Sequence, residues 1–493
     1  MAYPLGSQLL GIGPGGGRFA SPKPSQSHLR AFTGRRNNEC GSGGFGTALA
    51  ASRKGLEVLV IEKSSSIGGN ANRCGVNNWE PVAGATGFPR EIYQRLRERP
   101  QAVGIYGYSR HFVWSGKQSF PGGEHTLRAA AGKSYSDTLR RHGAGSLAED
   151  EEFIRSNIFG ISFEPEAYEQ ELRDMLAETG CCTLRENTFL KCAVIDNGRI
   201  EQIILENGET VIADYYVDAT GDGDLCDAAG CVMMEGQESR DTFNESAAPV
   251  DATDKVNGVS LIFRIRRREN PIIGKLPEGI GATCWWKNEY PFAAFFEFPN
   301  GDFNVNILPT MEGREYLDSD PSTAYAECRR RILSWWHYVQ CEYPEFQSWE
   351  IASISRAVGV RESRRVRGDY ILTQADCTAG TTEGVHNDII AISDHQLDRH
   401  GDSSIHTEIR KPYGIPYRCL IPEGFANLLV ACRAASFSSV AASSCRLSRT
   451  MMQLGQAAGT AIVIASENGV EDLRNINSTL LKDRLISQGV QLA

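Results

Sequence analysis

The residues best placed to do chemistry begin with GSGGFG at positions 41–46. Gly41, Gly43 and Gly46 complete the pattern G-x-G-x-x-G, with Gly44 inside it. In a turn that opens a helix, this spacing suits a dinucleotide pyrophosphate. Gly41 permits the tight turn, Gly43 lets the backbone approach the phosphates, and Gly46 lets the helix lie close to a sheet. The first N–H groups of the helix and the positive end of its dipole then face the anion. Glu62, with Lys63 beside it, follows the apolar run LEVLVI at 56–61. It stands 62 − 43 = 19 residues beyond Gly43, close to the ~20 at which an acid accepts hydrogen bonds from a ribose. A second match, GIGPGG at 11–16, runs into RFASPKPSQS, whose prolines oppose the helix the motif needs.

Three further segments carry reactive side chains. GVRESRRVRGDY at 359–370 supplies Arg361, Arg364, Arg365 and Arg367. These suit an anionic substrate or a cofactor phosphate, or else form a solvated basic strand. ISDHQLDRHGDSSIH at 392–406 supplies His395 and His400, whose imidazoles titrate near neutrality and suit acid–base work, unless they are plain loop histidines. NRCGVNNWEP at 72–81 offers Asn77, Asn78, Trp79 and Glu80 as residues facing a cofactor. Trp285, Trp286, Phe295 and Phe296 read as core. The fourteen cysteines include no CxxC pair and no Cys/His cluster with zinc spacing, so no metal site is expected and Cys181-Cys182 reads as chance.

Three separated blocks, in order, carry a family likeness: SSSIGGNANRCGVNN after Glu62, YYVDATGDGD at 215–224, and GIPYRCLIPEGFANLLVACRAASFSSVAASSCRLSRTMMQLGQAAGTA at 414–461. With GSGGFG, these blocks make the chain resemble the FAD-dependent oxidoreductases related to fumarate reductase and glutathione reductase. The resemblance covers roughly 41–235 and 355–465. It implies FAD as the cofactor. Gly68 and Gly69 would run along it, with Asn70 as a polar contact. Ala219, Thr220 and Gly221 would pass close to the dinucleotide. Arg433 would sit beside the flavin, and a helix starting near Thr450 and Met451 would aim its N-terminus at the ring, where N–H groups stabilise negative charge. The family more often has glycine before that arginine, where this chain has Cys432.

The implied activity is hydride transfer between a small organic substrate and a noncovalently bound flavin, with Arg361, His395 and Arg433 as catalytic candidates. No second dinucleotide motif appears downstream and no CxxxxC follows directly on Gly46, so NADPH-driven disulfide chemistry is not expected. A second electron donor or acceptor is required, and no motif names it or an oligomeric state. The alternatives are a flavin-dependent RNA-modifying enzyme and a non-catalytic flavin-binding partner subunit.

These residues need a scaffold. The expected fold class is α/β: a Rossmann-type FAD-binding domain, mostly parallel sheet with helices on both faces, plus a second α+β substrate domain with antiparallel strands. The expected divisions are an atypical, disordered segment at 1–40; FAD-binding parts at 41–87, 151–235 and 355–493; an insertion or cap at 88–150; and a substrate domain at 236–354, where aromatic residues cluster. Asn197-Gly198 and Asn207-Gly208 signal tight hairpins. A net charge of −10 speaks against a nucleic-acid partner. No apolar run approaches the ~20 residues of a membrane span, and no secretion signal is visible, so the chain reads as cytoplasmic.

One part conflicts with the rest. The strand before the glycine motif should be apolar, because it is central and covered on both faces. AFTGRRNNEC at 31–40 is not, so residues 1–40 are expected to be foreign to the fold, as a shifted frame or misplaced start would make them. If the flavin is held noncovalently, denaturing the purified holoprotein will release all its yellow colour as FAD into the supernatant. A yellow pellet, FMN or bound NAD contradicts this.

Overall fold

The computed structural model describes residues 28–32, 41–79, 85–105, 110–113, 161–286, 292–380, 386–401, 405–407, 409 and 411–492. The GIGPGG segment and Glu80 lie outside them.

The first layer is a parallel sheet. Its strands are β1 (His28–Phe32), β2 (Glu57–Ile61), β3 (Cys182–Arg185), β4 (Tyr215–Asp218) and β5 (Leu428–Val430), in the order β5-β4-β1-β2-β3. All four pairings are parallel. Helix α1 (Ser42–Ser52) leads from the glycine motif to β2, and helix α2 (Ser448–Asn468) follows β5. β2, β4 and β5 are short apolar runs buried almost throughout, as a sheet covered on both faces demands.

β1 corrects the reading of residues 1–40. The central strand comes from HLRAF at 28–32, where Leu29 pairs with Tyr215 and Val58, and Ala31 with Val217 and Val60. The polar run Arg35–Glu39 therefore does not have to serve as the strand. It belongs to the link 33–40, outside the described residues.

Other sequence signals hold. Asn197 and Gly198 take positive φ (46° and 73°) between the antiparallel strands Leu190–Asp196 and Arg199–Leu205, as a type I′ turn requires. The aromatic region forms an antiparallel sheet ordered Trp349–Ile354, Phe263–Arg267, Phe303–Ile307, Phe292–Glu297 and Arg110–Val113. Helix Pro321–Glu342 packs on it and is capped by Asp320, whose side chain accepts from Ser322 N and Thr323 N. Trp286, Trp335, Phe295 and Phe303 fill a second core between them. Trp285 lies outside that core, 41% exposed, under the Arg330 guanidinium. Among the described residues no helix is long and apolar enough to cross a membrane.

Helix α1 packs backbone to backbone on α2. A Cβ on Gly46 would stand 2.3 Å from Met452 O, one on Gly455 2.0 Å from Gly43 O, and one on Gly459 2.4 Å from Thr47 O. Each is closer than any real Cβ contact, so only glycine lets the two backbones meet. The contact points advance together along both helices, so the helices run parallel and their N-termini point the same way. Gly459→Leu would force them apart. Overpacking of this kind costs about 1–3 kcal/mol, so the apparent melting temperature should fall by several degrees, with flavin fluorescence released at the lower temperature. An unchanged melting curve contradicts the packing described.

Candidate active site

The glycine motif builds a cradle at the start of α1. Gly41 is the N-cap residue, extended at φ −73° and ψ −170°; no side chain caps the helix, and its first turn holds no acid. The turn at Gly68 and Gly69, both at positive φ (101° and 58°), brings the chain back against it: a Cβ on Gly69 would lie 2.8 Å from Gly41 Cα. Gly43 faces a different neighbour from the one expected. A Cβ there would stand 1.7 Å from Ala431 O, so its missing side chain admits the chain leaving β5. Gly44 is buried inside the first turn.

Glu62 follows β2 and is fully buried. Its Oε1 accepts the Ser64 N–H at 2.7 Å, which fixes the carboxylate's direction; Lys63 beside it is half-buried. The DATGDGD turn is held from below by Asp218, whose two oxygens accept Thr220 N and Cys226 N, both at 2.9 Å. Ala219 and Thr220 are buried there and Gly221 has φ +80°. Arg433 donates to Asp222 Oδ1 at 2.6 Å, so its charge is offset by a carboxylate. Thr450 and Met451 lie buried in the first turn of α2, which Leu447 precedes without a side-chain cap. Asn70 turns away from a ligand role: its Nδ2 donates to Val360 O at 3.0 Å, tying the Gly68-Gly69 turn to the arginine segment.

The arginine segment separates into structural and unpaired members. Arg364 bridges Asp224 (2.6 Å) and Asp227 (2.9 Å); Arg365, wholly buried, pairs with Glu238 (2.6 Å) and with Glu362; Arg367 meets Glu423 at the surface (3.2 Å). Arg361 makes no ion pair among the described residues. It donates to Gly258 O at 2.7 Å and Ser260 Oγ at 3.0 Å. Burial, with Arg446 nearby, lowers its guanidinium to about 9 against the pull of Asp398, which still leaves it cationic at neutral pH.

The imidazole grouped with Arg361 is that of His400. Strand Leu397–Arg399 puts Asp398 and His400 on one side, as a two-residue spacing does, and sends Arg399 the other way to Ser439 Oγ at 2.8 Å. His400 Nε2 lies 2.8 Å from Asp398 Oδ2, and Arg446 Nη2 is 3.3 Å from the same oxygen. Burial pushes His400 down to about 4, although Asp398 opposes this. The ring is therefore neutral at pH 7, and the bond to Asp398 places its proton on Nε2 and its basic lone pair on Nδ1. Asn257, buried, holds the segment: its Nδ2 donates to Asp398 O (3.1 Å) and its Oδ1 accepts His400 N (3.0 Å).

His395 is also buried, with its carbonyl taking the Ser444 hydroxyl. Asn77 and Trp79 serve packing rather than a ligand: Asn77 joins Phe163 O and Asn304, and Trp79 packs edge-on against Phe163 and Tyr168. The described cysteines are all free, and burial pushes the thiols of Cys226, Cys377 and Cys419 upward, away from thiolate chemistry.

The family model described as FAD dependent oxidoreductase matches residues 40–485. The chain belongs to this family. It is thus a flavin-dependent enzyme with FAD as its cofactor. Solved structures with a similar fold include a geranylgeranyl bacteriochlorophyll reductase-like protein from Thermoplasma acidophilum (11% identity, 94% of this chain and 86% of that one, TM-score 0.44). L-proline dehydrogenase from P. horikoshii is another (13%, 89% and 94%, TM-score 0.42), as is L-amino acid deaminase from Proteus myxofaciens (11%, 94% and 95%, TM-score 0.41). No curated protein matches the chain.

The residues of this oxidoreductase fit FAD. Two parallel helices start without side-chain caps, one beside a glycine cradle and the other beside Arg446, and a buried carboxylate stands past the end of β2. Those are the donors and the acceptor that a pyrophosphate, a flavin edge and a ribose require. Each hydrogen bond to a charged group is worth about 1.5–3 kcal/mol. Glu62→Ala should therefore weaken FAD binding at least about tenfold, read by titrating apoprotein with FAD. Unchanged affinity would assign the ribose to another acid.

Proposed function

We propose that this oxidoreductase exchanges a hydride between a small organic substrate and noncovalently held FAD, with His400 carrying the accompanying proton and Asp398 positioning it. The observation behind this reading is the buried Asp398–His400 contact of 2.8 Å, in the same cluster as Arg361 and as Arg446, which stands just ahead of α2.

FAD, when bound, accepts or returns two electrons with a hydride. The chain's own residues do the rest. In the oxidative direction the substrate loses a hydride from carbon and a proton from oxygen or nitrogen, and His400 Nδ1 takes that proton. Asp398 holds the imidazole in the required tautomer and stabilises the imidazolium that forms. In the reductive direction the same nitrogen returns the proton. Arg361 and Arg446 keep the surroundings positive, which disfavours a protonated resting ring and leaves the base ready. Burial of Asp398 and His400 limits water around the transferred proton.

Two outcomes follow. His400→Gln should retain its FAD and lose about 10²–10⁴ in the rate of flavin reduction by substrate. The pH profile of that step should be flat from about pH 5.5 to 8 and fall only as His400 protonates near pH 4. Asp398→Asn removes the charge that raises the His400 value, so its acid limb should move lower still while the rate falls. A limb near pH 6.5 in the native enzyme, or full activity in His400→Gln, contradicts this assignment.

A further inference from the structure

We infer that Arg361 is an anion subsite, and that the substrate carries a carboxylate which this guanidinium binds. The inference rests on the reading of His400 and Asp398 as the reacting centre and adds the class of molecule that reacts there.

Arg361 differs from every neighbour in its segment. Arg364, Arg365 and Arg367 each meet a carboxylate, and Arg433 and Arg446 also meet one. Arg361 meets only two neutral acceptors, Gly258 O and Ser260 Oγ. A guanidinium carries five N–H donors in a planar fork, so most of its donors are unused. It sits deep enough for burial to depress its ionisation. Yet its side chain keeps accessible surface, and its Nε is not among the buried nitrogens left without a partner. The Nε donor is therefore reachable and not sealed among packed side chains. A largely desolvated cation without a counter-ion is unfavourable, and an arriving carboxylate offsets this while matching the fork with two parallel hydrogen bonds.

The scaffold aims the group. Gly258 joins Arg361 to the dyad: its carbonyl accepts from Arg361 and its N–H donates to His400 O at 2.9 Å. Ser260 Oγ is itself fixed by donating to Ile307 O at 2.7 Å. Val360, one residue before, accepts from Asn70 of the glycine turn. Arg361 is thus tied on one side to the Gly68-Gly69 turn and on the other to His400. The competing claimant for the cation is the reduced flavin, which is also an anion, and the experiment separates the two.

Holoenzyme is titrated calorimetrically with acetate and benzoate, and with their neutral counterparts acetamide and benzamide. Native enzyme should bind at least one carboxylate and bind its amide at least about tenfold more weakly. Arg361→Gln should bring carboxylate affinity down to that of the amide, with FAD content and the flavin reduction potential of the ligand-free enzyme unchanged. Arg361→Lys, which keeps the charge but loses the fork, should fall between. His400→Gln should bind the carboxylate as native enzyme does, so a failed proton-carrier role and a failed anion subsite give different results. Equal carboxylate affinity in native and Arg361→Gln enzymes, or no carboxylate binding at all, overturns the proposal. So does a lower reduction potential in Arg361→Gln with carboxylate affinity intact, which would assign the cation to the flavin.

Discussion

The backbone contact between α1 and α2 is the constraint from which the site follows. Gly46, Gly455 and Gly459 bring no side chain to the seam, so the two helices lie parallel at a distance no larger residue there allows. Parallel helices carry parallel dipoles, and the positive ends add at one end of the seam. α1 follows the central strand of the sheet and α2 follows an outer one. The seam therefore joins the first part of the FAD-binding layer to the last, more than 400 residues away in sequence. Around that end lie the Gly68-Gly69 turn against Gly41, the chain leaving β5 against Gly43, and Arg446 just ahead of α2.

Charge placement distinguishes scaffold from site. Arg365 is surrounded by Glu238 and Glu362, and Arg364 by Asp224 and Asp227; these pairs fix the loops and leave no charge to spare. Around Asp398 the balance differs. One carboxylate serves His400 and Arg446, and Arg361 stands by without a carboxylate of its own. Burial, helped by the two arginines, keeps His400 neutral, which is the state a proton acceptor needs. Asn257 links this cluster to the segment entering the antiparallel layer, so the second domain contributes geometry as well as a wall.

Local signals in the sequence were sufficient for the cofactor half. GSGGFG, the run LEVLVI and the Asn-Gly turns depend on neighbours a few residues away, and they fold as their spacing implies. β1 was not legible. HLRAF carries two basic side chains and stands eight residues before the motif it serves, so pattern alone places the strand too late. The four arginines were also beyond sequence reasoning, since their partners come from afar: Arg364 finds Asp224 at a separation of 140 and Arg365 finds Glu238 at 127. Asn257 reaches Asp398 and His400 across 141 and 143 residues and has no local signature. Asp398 and His400 left a faint one, two reactive residues spaced to share one side of a strand.

A crystal structure of the holoenzyme tests the central claim most directly. The account places the pyrophosphate on the N-terminus of α1, the adenosine ribose on Glu62, and the flavin ring at the start of α2, with its face open toward Arg361 and His400. Electron density showing the ring there, with His400 Nδ1 directed at the space over it, is the predicted result. A ring lying instead against the Asp222–Arg433 pair, with Arg361 and His400 walled off from it, would contradict the account.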